Sequence, residues 1–149
     1  MSISVQRSQF NHSYPILTRP HDNDLHGHVS GATVHGYFEA ALQALLLQEA
    51  GLDLRDGEVT GFVVSSAADF FALPSFPDAL EVTVAVTRLA GSTVEYRLGL
   101  FRPGEAEACA LGRVVQVFVE RASGRPVAVP DALQKVLAGL QLGEAVGEG

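Results

Sequence analysis

From Ser30 to Ala50 the chain is apolar on almost every side, and this constrains the fold more than any other stretch. Val34, Phe38, Ala41, Leu42, Leu45 and Leu46 recur at helical spacing. Ala40, Ala44 and Leu47 widen that stripe, leaving Glu39, Gln43 and Gln48 as a thin polar edge. Ser30 is a natural N-cap, with Thr33 a second candidate one turn later, and Gly51 is a natural C-cap. A helix so nearly apolar all round is expected to be covered on most sides.

The rest of the chain supplies the cover. Residues 14–18 form a short predicted strand that ends at Pro20. After Gly57 the texture turns β-branched and aromatic, with strands predicted over 60–71, 80–89, 93–102 and 109–121. In the second of these, Leu80, Val82, Val84 and Val86 alternate onto one face. Short turns such as Ala90-Gly91-Ser92 make the pairing antiparallel. A short helix over 130–140 follows, with Pro130 at its first turn. One strand, a long apolar helix and four antiparallel strands satisfy burial when the sheet curls around the helix. The expectation is an α+β hotdog fold, a long central helix wrapped by a curved antiparallel sheet of about five strands. It occupies residues 13–140, between a flexible N-terminal arm over 1–12 and a flexible C-terminal tail over 141–149.

Composition narrows the partners. Hydrophobic residues make up 47% of 149 and charged residues 18%, which suits a globular domain with some apolar surface left for a second subunit. The net charge of −7 rests on Lys135, nine arginines and 17 acidic residues, with no basic run, so nucleic acid is not an expected partner. No apolar segment is long enough to span a bilayer, and residues 1–10 have no apolar signal core, so no membrane association and a cytoplasmic location are expected. Cys109 stands alone, without a disulfide or zinc-ligand framework.

Chemistry-bearing residues concentrate ahead of the helix. Residues 19–31 hold Asp22, Asp24, His21, His26 and His28 in a polar loop that ends at Ser30-Gly31. A helix N-terminus presents unpaired N–H groups and a positive dipole end, so a carboxylate beside it places a base or nucleophile next to a ready oxyanion site. Asp22 reads as a loop hydrogen-bonding residue. His28 orients the loop or lines a pocket, His35 either reaches the site or is a solvated or interface residue, and Glu39 reads as structural. Two histidines one residue apart in a loop, with no further ligand cluster, do not make a metal site.

Asp22-Asn23-Asp24-Leu25-His26-Gly27-His28-Val29, followed by Tyr37-Phe38-Glu39, resembles the acyl-CoA thioesterases of the 4-hydroxybenzoyl-CoA thioesterase family, whose members typically read D-x-D-x-x-G-H-V-N-N ahead of a helix containing Y-F-E. Asp69-Phe70 to Pro77-Asp78, and Gly124-Arg125-Pro126-Val127 with Pro130, extend the similarity across residues 14–140. The resemblance implies a hydrolase acting on an acyl-CoA or an acyl-carrier-protein thioester, with Asp24 as nucleophile or general base. It implies the Gly31 backbone N–H as oxyanion donor, supported by His28 and Ser30. Arg88 and Ser92, in the turn between two strands, become contacts for the nucleotide end of coenzyme A. No cofactor is implied beyond the coenzyme A of the substrate, and the assembly implied is a homodimer or homotetramer.

Two departures stand out. Ser30-Gly31 replaces the usual Asn-Asn, and residues 71–76 carry no positive charge. Two other readings remain at this stage. Asn23-Asp24-Leu25-His26 partly echoes hotdog enoyl-CoA hydratases, although His21 stands where their catalytic Asp is expected. A non-catalytic acyl- or ligand-binding hotdog module is the other.

Overall fold

The computed structural model describes residues 6–141. Five strands, β1 (Ser13–Leu17), β2 (Val59–Phe70), β3 (Ala79–Ala90), β4 (Thr93–Phe101) and β5 (Ala110–Glu120), form one antiparallel sheet in the order β1-β3-β4-β5-β2. The long helix α1 (Gly31–Ala50) lies in its concave face, and α2 (Asp131–Ala138) packs near the helix and β3. This is the hotdog arrangement that the sequence predicts.

Local chemistry sets the ends of α1. The Ser30 hydroxyl accepts from the Thr33 N–H at 3.2 Å, so Ser30 is the N-cap. Gly51 closes the helix with φ of 66°, a left-handed conformation that glycine adopts without a Cβ penalty. Pro130 stands at the N-cap of α2, one residue ahead of its first turn.

Val34, Tyr37, Phe38, Ala41, Leu42, Leu45 and Leu46 are buried against Leu80, Val82, Val84, Tyr96, Leu98 and Leu100. Phe38 is fully buried, and its ring lies over bare backbone, because a Cβ built on Gly112 of β5 would come within 2.4 Å of it. Burying such a ring contributes about 2–3 kcal/mol. The core also holds a satisfied polar pair, in which the Tyr96 hydroxyl donates to the Gln116 side-chain oxygen at 2.8 Å.

The expectation that α1 is covered on most sides is corrected. Only one face meets the sheet of its own chain. Ala40 and Ala44 are half-buried, and Leu47 is 56% exposed. The physical reason is that β2, the strand that flanks this side, is a sheet edge with one neighbour, β5. Most of β2 is exposed, including Phe62, Val63, Val64 and Phe70.

Residues 1–5 of the predicted arm and 142–149 of the predicted tail lie outside the described residues. The described part of the arm docks on the outer face of the sheet. Arg7–Gln9 form a 3-10 turn, the Arg7 guanidinium donates to the carbonyls of Arg102 and Glu105 and pairs with Glu81, and its carbon lies 4.7 Å from the centre of the Phe101 ring. Phe10 packs edge-on against Phe101, with ring centres 6.1 Å apart.

Candidate functional site

The loop ahead of α1 is built from two aspartates with different surroundings. Asp22 closes a 3-10 turn, Pro20–Asp22, and is buried. Its carboxylate accepts from the Tyr37 hydroxyl at 2.7 Å and from the Arg19 N–H at 2.9 Å, and the Arg19 guanidinium pairs with it at 3.4 Å. Burial alone pushes the Asp22 carboxyl up, but these donors outweigh it and hold the group below its ordinary value. The same contact, with burial as the larger cause, pushes the Tyr37 phenol well up.

Asp24 faces solvent at the tip of the loop. Its N–H donates to the His28 carbonyl at 2.7 Å, which pins the loop into a tight hairpin turned by Gly27 at φ of 83°. That hairpin aims the N–H groups of His26 and His28 at one oxygen of the Asp24 carboxylate, at 2.8 and 3.2 Å. These two bonds hold its carboxyl below the ordinary value of 3.8, so Asp24 is ionised at neutral pH. Asp24 is therefore a fixed, exposed carboxylate with its second oxygen unclaimed by these N–H groups.

The hairpin delivers the chain straight into α1. The Ser30 N–H donates to the Asp22 carbonyl at 3.2 Å and the Val29 N–H to the Pro74 carbonyl at 2.8 Å, anchoring both sides of the entry. The Ser30 cap takes the Thr33 N–H, leaving the N–H groups of Gly31 and Ala32 in the first turn with no partner within the helix. Both residues are exposed. Gly31 sits over the end of β2, where an added Cβ would meet the Phe70 ring at 3.4 Å. The imidazole of His28 is half-buried beside this entry.

Arg88 and Ser92 are not brought to this end. Sheet register carries Phe70 across to Ala110 and Leu100 at one end, and Phe62 across to Val117, Thr93 and Ala90 at the other. The turn holding Arg88 and Ser92 is thus level with Phe62, whereas Asp24 and Gly31 are level with Phe70. Eight strand residues separate the two levels, roughly 26 Å. Near the Phe62 end, Gln43, Leu47, Leu52, Leu54, Thr60 and Phe62 line an open groove of about 680 Å³.

Sequence reasoning missed two contacts. The Asp22–Tyr37 bond joins residues 15 apart, and no local pattern announces it. The His35 ring Nδ1 lies 2.6 Å from the Ser66 hydroxyl on β2. Its one sequence signal is the run of small and hydroxylated residues, Ser65 to Ala68, inside an otherwise bulky strand. Among the described residues no group of three or more His, Cys, Asp or Glu side chains is placed to hold a metal ion, and no helix is long and apolar enough to cross a membrane.

The helix start and the carboxylate loop thus lie together at one end of the sheet. Residues 18–137 match the model of the thioesterase-like superfamily, and the chain belongs to that superfamily. It is similar to the PA5185 protein of Pseudomonas aeruginosa, at 48% identity over 96% of this chain and 100% of that one, with a TM-score of 0.92. It is also similar to the dynemicin thioesterase, at 26% identity over 89% of this chain and 98% of that one (TM-score 0.80). The 1,4-dihydroxy-2-naphthoyl-CoA thioesterase Slr0204 of Synechocystis shares the fold at 18% identity over 85% of this chain and 94% of that one, with a TM-score of 0.75. No curated protein matches the chain. The superfamily is thus shown, and the narrower 4-hydroxybenzoyl-CoA family is not singled out within it.

Proposed function

We propose that the protein is a thioesterase that hydrolyses an acyl-CoA to the free acid and coenzyme A. The observation that carries this reading is the exposed Asp24 carboxylate, fixed by two backbone N–H groups in the hairpin that opens into the N-terminus of α1. A thioester carbonyl seated at Gly31 receives the helix N–H groups on its oxygen, where negative charge develops as the carbon becomes tetrahedral. Gly31 has no side chain to hold the substrate away. Asp24 then acts in one of two ways. As a general base it takes a proton from water, whose oxygen bonds to the carbonyl carbon. As a nucleophile it bonds to that carbon itself, and water cleaves the resulting anhydride. Either way the C–S bond breaks, the thiolate leaves and is protonated, and one water is consumed. Ser30 keeps the helix start in register and His28 holds the hairpin through its backbone.

The same reading calls for a second copy of the chain. β2 is a twelve-residue edge strand with exposed Phe62, Val63 and Val64, whereas the other edge, β1, is five residues long and carries Pro15. A long apolar edge is a template for pairing. Two β2 edges paired antiparallel about their middles set the Phe62 end of one copy beside the Phe70 end of the other. The Arg88–Ser92 turn of one copy then approaches the Asp24 and Gly31 of the other, where Arg88 and Ser92 contact the phosphates of coenzyme A. This assembly is a homodimer, or two such dimers in a tetramer.

Thiol release from a panel of aliphatic and aromatic acyl-CoA esters tests the activity. Turnover in the wild type, lowered by orders of magnitude in Asp24→Asn, is expected. Turnover retained in Asp24→Asn excludes the assigned role, and no release from any ester by the wild type excludes the reaction. Val64→Lys tests the assembly: sedimentation is expected to show a monomer for the variant and a dimer or larger for the wild type.

A further inference from the structure

Outside the Asp24 loop, titratable and hydroxyl groups also gather at the seam between α1 and β2. His35, Glu39, Val63, Ser66 and Val114 line a hollow of about 90 Å³ there. The His35 Nδ1 and the Ser66 hydroxyl are 2.6 Å apart, and the His35 ring is braced edge-on against Phe38, with ring centres 6.4 Å apart. Glu39 follows one turn on, and its carboxylate accepts from the Gln43 side-chain amide at 3.3 Å.

The seam runs in one direction from the proposed oxyanion site. Gly31 lies over Phe70, His35 bonds Ser66, Glu39 faces the hollow beside Val63, and Gln43 and Leu47 share the next groove with Phe62. Helix and strand thus descend together from the thioester position, with His35, Ser66 and Glu39 midway and a groove of mixed polar and apolar lining beyond. His35 lies four residues past Gly31, about 6 Å along the helix axis.

We propose that this seam receives the acyl group, and that His35 and Ser66 select acyl groups carrying a hydroxyl about 6–8 Å from the thioester carbonyl carbon. The inference rests on the thioesterase reading above and adds the class of acyl group. The chemistry of the pair fits a hydroxyl in either tautomer. If Nδ1 accepts from Ser66, the opposite ring N–H donates. If Nδ1–H donates to Ser66, the serine hydroxyl proton is free to donate, and the opposite ring nitrogen accepts. A hydroxyl, being both donor and acceptor, is satisfied by both states, while a methyl in its place leaves the pair facing an apolar group. The Glu39 carboxylate on the next turn repels an acyl chain that ends in a carboxylate.

The test compares 6-hydroxyhexanoyl-CoA with heptanoyl-CoA, which exchange a hydroxyl for a methyl at one position. It uses wild type, Ser66→Ala, His35→Leu and Ser66→Thr, reading kcat/KM by thiol release. The wild type is expected to prefer the hydroxy ester by about tenfold. Ser66→Ala and His35→Leu are each expected to bring the ratio to about one, and Ser66→Thr to retain it. A ratio near one in the wild type, or a preference untouched by both variants, overturns the inference. Titration calorimetry with the thioether analogues of the two esters separates its failure from that of the thioesterase reading. If no ester is hydrolysed, tighter binding of the hydroxylated thioether by wild type alone still supports the pair's role. Equal binding, or none, overturns it.

Discussion

The inner and outer halves of the loop ahead of α1 hold chemically identical side chains two residues apart, and the fold treats them in opposite ways. Asp22 is buried, takes a hydroxyl and a backbone N–H, and is paired with Arg19. Asp24 is exposed and bound only on one oxygen by the N–H groups of its own hairpin. Donors depress both carboxyls, but from different sources: a tertiary contact with α1 for Asp22, and local backbone for Asp24. The difference teaches that a carboxylate tied into the core fixes the loop, while its neighbour is left available to react.

Substitutions ought to separate the two roles. The largest effect is expected from Asp24→Asn, a loss of kcat of about a thousandfold with the thermal transition unmoved. Equal losses of activity and stability would erase the distinction. Asp22→Ala is expected to cost about 3 kcal/mol in a denaturant titration, because it strands the buried Tyr37 hydroxyl. Tyr37→Phe removes one hydrogen bond to a charged acceptor and is expected to cost about 1.5 kcal/mol.

Acid sharpens the contrast further. Because its folded value is depressed, Asp22 contributes stability that is fully present well above 3.8 and lost as pH falls below it through the folded value. Tyr37→Phe raises that folded value towards 3.8, so stability measured across this window is expected to decline less steeply than in the wild type. For Asp24 the readout is kinetic. The acid limb of kcat/KM is expected below 3.8, and a limb near neutrality would point to a different base.

Much of this was legible in residues. Ser30 and Gly51 bracket α1 through cap chemistry that depends only on near neighbours, and the alternation of Leu80, Val82, Val84 and Val86 in β3 holds because all four face the core under α1. Asp24 is legible because backbone N–H groups two and four residues away set its environment. What escapes is whatever depends on distance along the chain. Tyr37 reads as a core aromatic until Asp22 is seen under its hydroxyl, and Phe10 sits in a polar stretch until Phe101 appears beside it. The exposed side of α1 escapes for a related reason. Its apolar residues make cover look necessary in the sequence, but the cover within this chain stops at one face of the helix.

The contact between Phe38 and Gly112 has a consequence for tolerance. Because the ring rests on bare backbone, the gap between helix and sheet is gauged by the absence of one carbon atom. A rigid α1 turns any thickening at residue 112 into a tilt, and the end of the lever is the first turn, where Gly31 stands. A methyl deep in the sheet, in Gly112→Ala, would then detune alignment at the surface without altering any group there, so that a scan for impaired turnover would flag a position far from the loop.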